Sequence, residues 1–152
     1  MNTKRLQIHQ LEKRIEKFAQ CQDYPNPPTG WIRAIRTALG RTLEQLANEL
    51  SITKQSVRET ELREMEGSIT LKNLRETANA LDMDLVYGLV PKERSLEKHI
   101  EKKARKLARN IVHRTSNNMK LEGQENTKER IQMAIKEHTE ELIKEIPKSL
   151  WD

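Results

Sequence analysis

The sequence predicts an all-α protein built around a helix-turn-helix, with further helices on both sides. Three observations carry this prediction. Apolar residues recur at spacings of three and four through most of the 152-residue chain. Between Thr42 and Glu61 a capped apolar helix, a gap of about three residues and a second capped helix follow one another. A single short run, Leu85 to Val90, has the residue types of a strand.

Residues 3 to 19 place Ile8, Leu11, Ile15 and Phe18 on one narrow seam, suited to packing against another helix of this chain or of a second copy. "DYPNPPTG", residues 23 to 30, is a linker, because three prolines remove donors and fix φ. "WIRAIRTALG" puts Trp31, Ile32, Ile35 and Leu39 on one side, and Gly40 stops the helix. Thr42 caps the next helix, and Gln45 completes a capping-box pattern. Leu43, Leu46, Ala47 and Leu50 form its apolar stripe, in which the small Ala47 lets another helix cross closely. Thr53 then opens "KQSVRETE", with Val57 pointing inward. After a break at Gly67-Ser68, Thr70 caps a helix through Leu71, Leu74, Ala78 and Leu81.

"DLVYGLVP" changes the period. It is read as a strand that pairs with its copy in a second subunit, since a lone strand leaves its hydrogen bonds unmade, or else as a buried helical turn. Lys92 to Val112 is helical through Leu96, Ile100, Ala104, Leu107 and Ile111. "RTSNNMKLEGQENT" is a polar break, and a last amphipathic helix covers residues 127 to 146. The expected organisation is therefore an N-terminal helix (1–22), a Pro-rich linker (23–30), a helix-turn-helix domain (31–91) and a helical extension (92–152).

Composition narrows the function. Apolar residues make up 35% and charged residues 34%, a thin core that leaves segments exposed or buried against a partner. Five aromatic residues cannot build a base-stacking platform of the kind single-strand RNA binders use. The net charge is +5, and its surplus is local. Residues 1–91 hold 13 basic and 12 acidic side chains, 92–114 hold nine and three, and 115–152 hold six and eight. The middle segment suits an anionic partner such as a phosphate backbone; the plain alternative is a solvated helix face. Cys21 is the only cysteine, so no intrachain disulfide forms, which fits a reducing compartment. No apolar run approaches the ~20 residues of a membrane span, and the charged N-terminus lacks a signal-peptide core. The expected location is cytoplasmic.

"TLEQLANELSITKQSVRETE" resembles the helix-turn-helix of lambda-repressor-like, Xre-type regulators, through Thr42, Leu46, Ala47, Thr53, Val57 and Glu61. "LANELSITKQSV", "ELREMEGSITLKNLRETANALDMDLVYGLVP" and the basic tail together resemble the mobile mystery protein A family. That resemblance implies a regulator associated with mobile elements, with a Fic-domain protein encoded beside it. It implies double-stranded DNA as ligand, a homodimer on an inverted repeat, and autorepression. In such a motif the second helix enters the major groove. Lys54, Gln55 and Arg58 are then the first candidates for base reading, with Ser56 and Glu59 as secondary ones, because Gln pairs with adenine, Arg or Lys with guanine, and Glu with cytosine. Thr42 and Thr53, at helix N-termini, are candidates for phosphate contact as well as caps; Arg41 and Arg63 join them. The sequence departs from the pattern at Leu43, where many phage repressors carry a phosphate-touching Gln, and after Glu61, where the helix is more charged and is expected to run longer.

An enzyme is not expected. His9, His99, His113 and His138 have no partner at metal-ligand spacing, no Gly-rich phosphate loop occurs, and Cys21 has no activating neighbour, so no metal or cofactor is expected either. The alternative is an antitoxin-like interaction module for a Fic-domain partner. The inhibitory Fic segment has Ser or Thr four residues before its Glu-Gly or Glu-Asn pair. Leu62 precedes Glu66-Gly67 and Asn118 precedes Glu122-Gly123, so neither pair qualifies.

Overall fold

The computed structural model describes residues 2–121 and 127–152. Its α-helices are α1 (Thr3–Ala19), α2 (Trp31–Ala38), α3 (Leu43–Leu50), α4 (Lys54–Glu66), α5 (Leu71–Ala80), α6 (Leu96–Leu121) and α7 (Lys128–Glu145), followed by a 3-10 turn at Lys148–Trp151. Glu122-Gly123 lies outside the described residues. The chain divides into two compact units, residues 22–88 and residues 1–21 with 89–152.

The 22–88 unit is built from α2 to α5. Capping sets its starts: Thr42, Thr53 and Thr70 each accept a backbone N–H three residues on, and Thr42 with Gln45 forms the reciprocal pair. Its core is Ile32, Leu46, Ala47, Val57 and Leu81, with Ile35, Leu43, Leu50 and Leu74 packed around it. Trp31 and Leu39, expected on the same inward side as Ile32, stay about half exposed. Trp31 instead donates its indole N–H to Asn26 Oδ1 of the linker at 3.2 Å.

An ion pair lies beside that core. Arg36 and Glu61 are both buried and doubly hydrogen-bonded, and Arg36 Nη1 also donates to the carbonyl of Arg41 at 3.0 Å. A buried pair of this kind persists only when both charges are fully engaged.

The other unit joins α1 to α6, α7 and the 3-10 turn. Ile100, Ala104, Ile146 and Leu150 form its core, and Ile8 of α1 packs on it. Polar ties fix α1 there: Lys4 Nζ donates to the carbonyl of Ile146 at 2.9 Å, Arg5 pairs with Glu97 at 3.2 Å, and Glu12 Oε2 accepts the Leu96 N–H at 2.7 Å. Trp151 stacks on His99, with ring centroids 5.8 Å apart.

Two expectations change. No strand forms among the described residues. Leu85 to Val90 is neither strand nor helical turn, and Val86, Tyr87 and Leu89 are exposed. A strand needs a neighbour's N–H and C=O groups, and no strand lies beside this run among the described residues. The basic helix is also shifted. It begins at Leu96, because Pro91 to Ser95 forms a turn with the Arg94 N–H on the Pro91 carbonyl, and it runs through the expected polar break to Leu121. Ser116 is buried there and Thr115 returns its hydroxyl to the Ile111 carbonyl at 3.0 Å, so local polarity is absorbed by the helix itself.

Candidate nucleic-acid interface

The base-reading candidates Lys54, Gln55, Ser56, Arg58 and Glu59 all lie in the N-terminal half of α4, with Thr53 as its cap. The turn between α3 and α4 is tight. Ser51 takes the left-handed conformation that ends α3, and the Ile52 N–H bonds the Ala47 carbonyl at 3.0 Å. Thr53 accepts the Ser56 N–H at 3.0 Å, and the two hydroxyls meet at 2.8 Å. Ser56 is therefore half-buried and engaged in the cap.

Val57 is fully buried and Thr60 and Glu61 are buried beside it, so this side of α4 faces α3 and α2. Helical spacing then turns Lys54, Gln55, Arg58 and Glu59 outward, and all four are exposed. Gln55 and Glu59 share one line of this face and Arg58 flanks it. Glu59 reaches Arg63 at 3.8 Å, an i,i+4 pair that lies at the surface. Arg58 lines an open groove of about 430 Å³, with Leu43, Leu62 and Met65 as its apolar lining and Thr29, Arg33, Arg36 and Glu61 as its polar lining.

The phosphate candidates divide. Thr42 and Thr53 are exposed at helix starts, each with its hydroxyl committed to capping. Arg63 sits in the last turn of α4, at the far end from Lys54. Arg41 is half-buried, donates to the Ala80 carbonyl at 3.2 Å and lies 4.0 Å from Glu49, so it ties α5 to the α2–α3 corner. Leu43, the departure from the repressor pattern, packs against the core. α4 runs 13 residues to Glu66, and Gly67 closes it in the left-handed region.

Sequence reasoning missed the residue that aims the helix at its other end. α2 starts at Gly30, which has no side chain to cap it. Glu64 of α4 does so instead: Oε2 accepts the Trp31 N–H at 2.9 Å and Oε1 the Ile32 N–H at 2.8 Å. Gly30 is at φ 85°, ψ 162°, and a Cβ there would lie 2.9 Å from the same carboxylate. A Gly before an apolar helix and a Glu on the inward line of α4 were both visible, but only their proximity in space links them. Arg36 was equally legible as a charge at a core position of α2, one turn after Ile32.

No group of three or more His, Cys, Asp or Glu side chains among the described residues is placed to hold a metal. No helix of the described residues is long and apolar enough to cross a membrane. A comparison of the chain with protein-family models, with curated proteins and with solved structures finds no match.

Proposed function

We propose that this chain is a sequence-specific regulator of double-stranded DNA, of the lambda-repressor-like, Xre type, with α3 and α4 as its helix-turn-helix. The observation that carries the reading is α4 itself. Its first two turns present Lys54, Gln55, Arg58 and Glu59 to solvent, while Val57 locks the opposite side into the core. Gln55 and Arg58 are the principal base readers, and Ser56 acts through the cap rather than by direct contact. The protein works as a dimer on an inverted repeat and represses its own gene. The exposed Val86, Tyr87 and Leu89 run supports pairing with a second copy, which would cover these apolar side chains.

The test is a mobility shift with the DNA upstream of the gene and a scrambled duplex. Wild type should shift only the first at low concentration, and Gln55→Ala/Arg58→Ala should abolish the preference, at about 1–3 kcal/mol per lost base contact. Equal binding of both duplexes by wild type and variant would sink the proposal.

One observation favours a second reading, an antitoxin-like module for a Fic-domain partner. Leu62 and Met65 are about half exposed beside Arg58, and an apolar pair there suits a protein surface better than phosphate. Co-purification with the partner, lost on Leu62→Glu, would support it.

A further inference from the structure

The two units carry opposite charge. Residues 22–88 hold eight basic and ten acidic side chains, a net of −2, whereas residues 1–21 and 89–152 hold twenty and thirteen, a net of +7. The unit that contains the proposed reading helix thus brings no net cationic surplus to a phosphate backbone. Duplex binding draws most of its sequence-independent affinity from cations placed on phosphates, with release of counterions. If the chain binds DNA, that affinity has to come from elsewhere in it.

The α6–α7 pair offers a place. An open groove of about 890 Å³ runs between them. Arg105, Arg109 and His113 line it from α6, and Lys128 and Lys136 from α7; Glu101 and Glu140 are the carboxylates on it. All seven of these charged or titratable side chains are exposed. Arg105 and Arg109 are one turn apart, and exposed Lys98 and Lys102 extend their line toward the helix start. Glu101 holds Arg105 at 2.7 Å and Glu93 holds Lys102 at 3.3 Å, so the stripe is oriented at the surface by its acidic neighbours. The Glu101–Arg105 pair, exposed on both sides, exchanges readily for phosphate, because such a pair is worth little in water.

We infer that the α6 side of the α6–α7 groove is a docking surface for the phosphate backbone of duplex DNA, with Arg105 and Arg109 at its centre. It supplies the sequence-independent affinity that the 22–88 unit lacks. The inference rests on DNA being the ligand, as proposed above, but not on base reading by α4.

The experiment measures binding of the full chain to a scrambled 20-bp duplex by fluorescence anisotropy, across a salt series. Wild type should bind, with log affinity falling linearly against log salt concentration. Arg105→Gln/Arg109→Gln should bind about tenfold or more weakly near 100 mM salt, and its slope should shrink by about 2, close to one per lost phosphate contact. Arg105→Lys/Arg109→Lys, which keeps the charge, should restore both. An unchanged slope in the Gln variant, or no binding by wild type, overturns the inference. Binding of poly-L-glutamate in place of the duplex also overturns it and points to an acidic protein partner. No operator preference in wild type, or a preference that survives Gln55→Ala/Arg58→Ala, with the Arg105/Arg109 dependence intact would refute α4 as the reader and leave this surface standing.

Discussion

Gly30 and Glu64 act as one device, and a double-mutant cycle tests this. Glu64 accepts two backbone N–H bonds at the start of α2. Bonds to a charged acceptor contribute about 1.5–3 kcal/mol each when buried, and Glu64 is half-buried. With screening, and with water replacing it after truncation, Glu64→Ala should cost about 2 kcal/mol, at the upper end for a lost N-cap. Gly30→Ala meets two penalties. The backbone at φ 85°, ψ 162° costs a side-chain-bearing residue about 1–3 kcal/mol. The new Cβ, 2.9 Å from Oε1, also pushes the carboxylate off its donors. In the Glu64→Ala background only the backbone penalty remains. The two changes should therefore be less than additive by about 1–2 kcal/mol. The assay is urea unfolding followed by indole fluorescence in a Trp151→Phe background, so that Trp31 reports on the 22–88 unit alone. Additivity within about 0.5 kcal/mol would refute the idea that this carboxylate and this glycine are coupled.

Further outcomes follow from the ionic groups. Removing one member of the buried Arg36–Glu61 pair, by Glu61→Ala, should destabilise the 22–88 unit by about 3–5 kcal/mol, whereas Arg36→Met/Glu61→Leu should recover most of the loss; the same fluorescence assay checks both, and equal stability of single and double variants would contradict the pairing. Glu93 is held below the ordinary carboxylate range, first by a backbone hydrogen bond at Glu93 itself and then by His99 and Lys102. Because its folded value is lowered, what it contributes is present above the unfolded carboxylate range and is lost as pH falls through the folded value. Lys102→Ala should raise the Glu93 midpoint in a carboxyl-detected NMR titration, and an unmoved midpoint would exclude the lysine as a cause.

The local code of this chain was legible before any coordinates. Thr42 with Gln45, Thr53, Thr70 and Thr127 mark helix starts through their own hydroxyls, within three residues. The stripe Leu46, Ala47 and Val57 announced the α3–α4 contact by spacing alone. From those, the outward side of α4 and its candidate readers follow. Two segments depart from this local reading. Leu85 to Val90 has strand residues but forms no strand among the described residues. Thr115 and Ser116 look like a break, yet they lie within a 26-residue helix, where Thr115 returns its hydroxyl to the Ile111 carbonyl.

Short-range physics is written in the sequence because caps and apolar periods act over one or two turns. The ties that hold the units act over much longer separations. Glu64 caps α2 from 32 and 33 residues away, and Glu12 accepts the Leu96 N–H from 84. Arg36 finds Glu61 across 25 residues. Only the tertiary structure decides such pairs, because many carboxylates along this charged chain are chemically equivalent and packing alone selects which of them meets an orphan helix start. The same holds for charge. The sequence shows a surplus of +6 between residues 92 and 114, but the fold divides the chain into a −2 unit and a +7 unit and sets Arg105 and Arg109 along a groove.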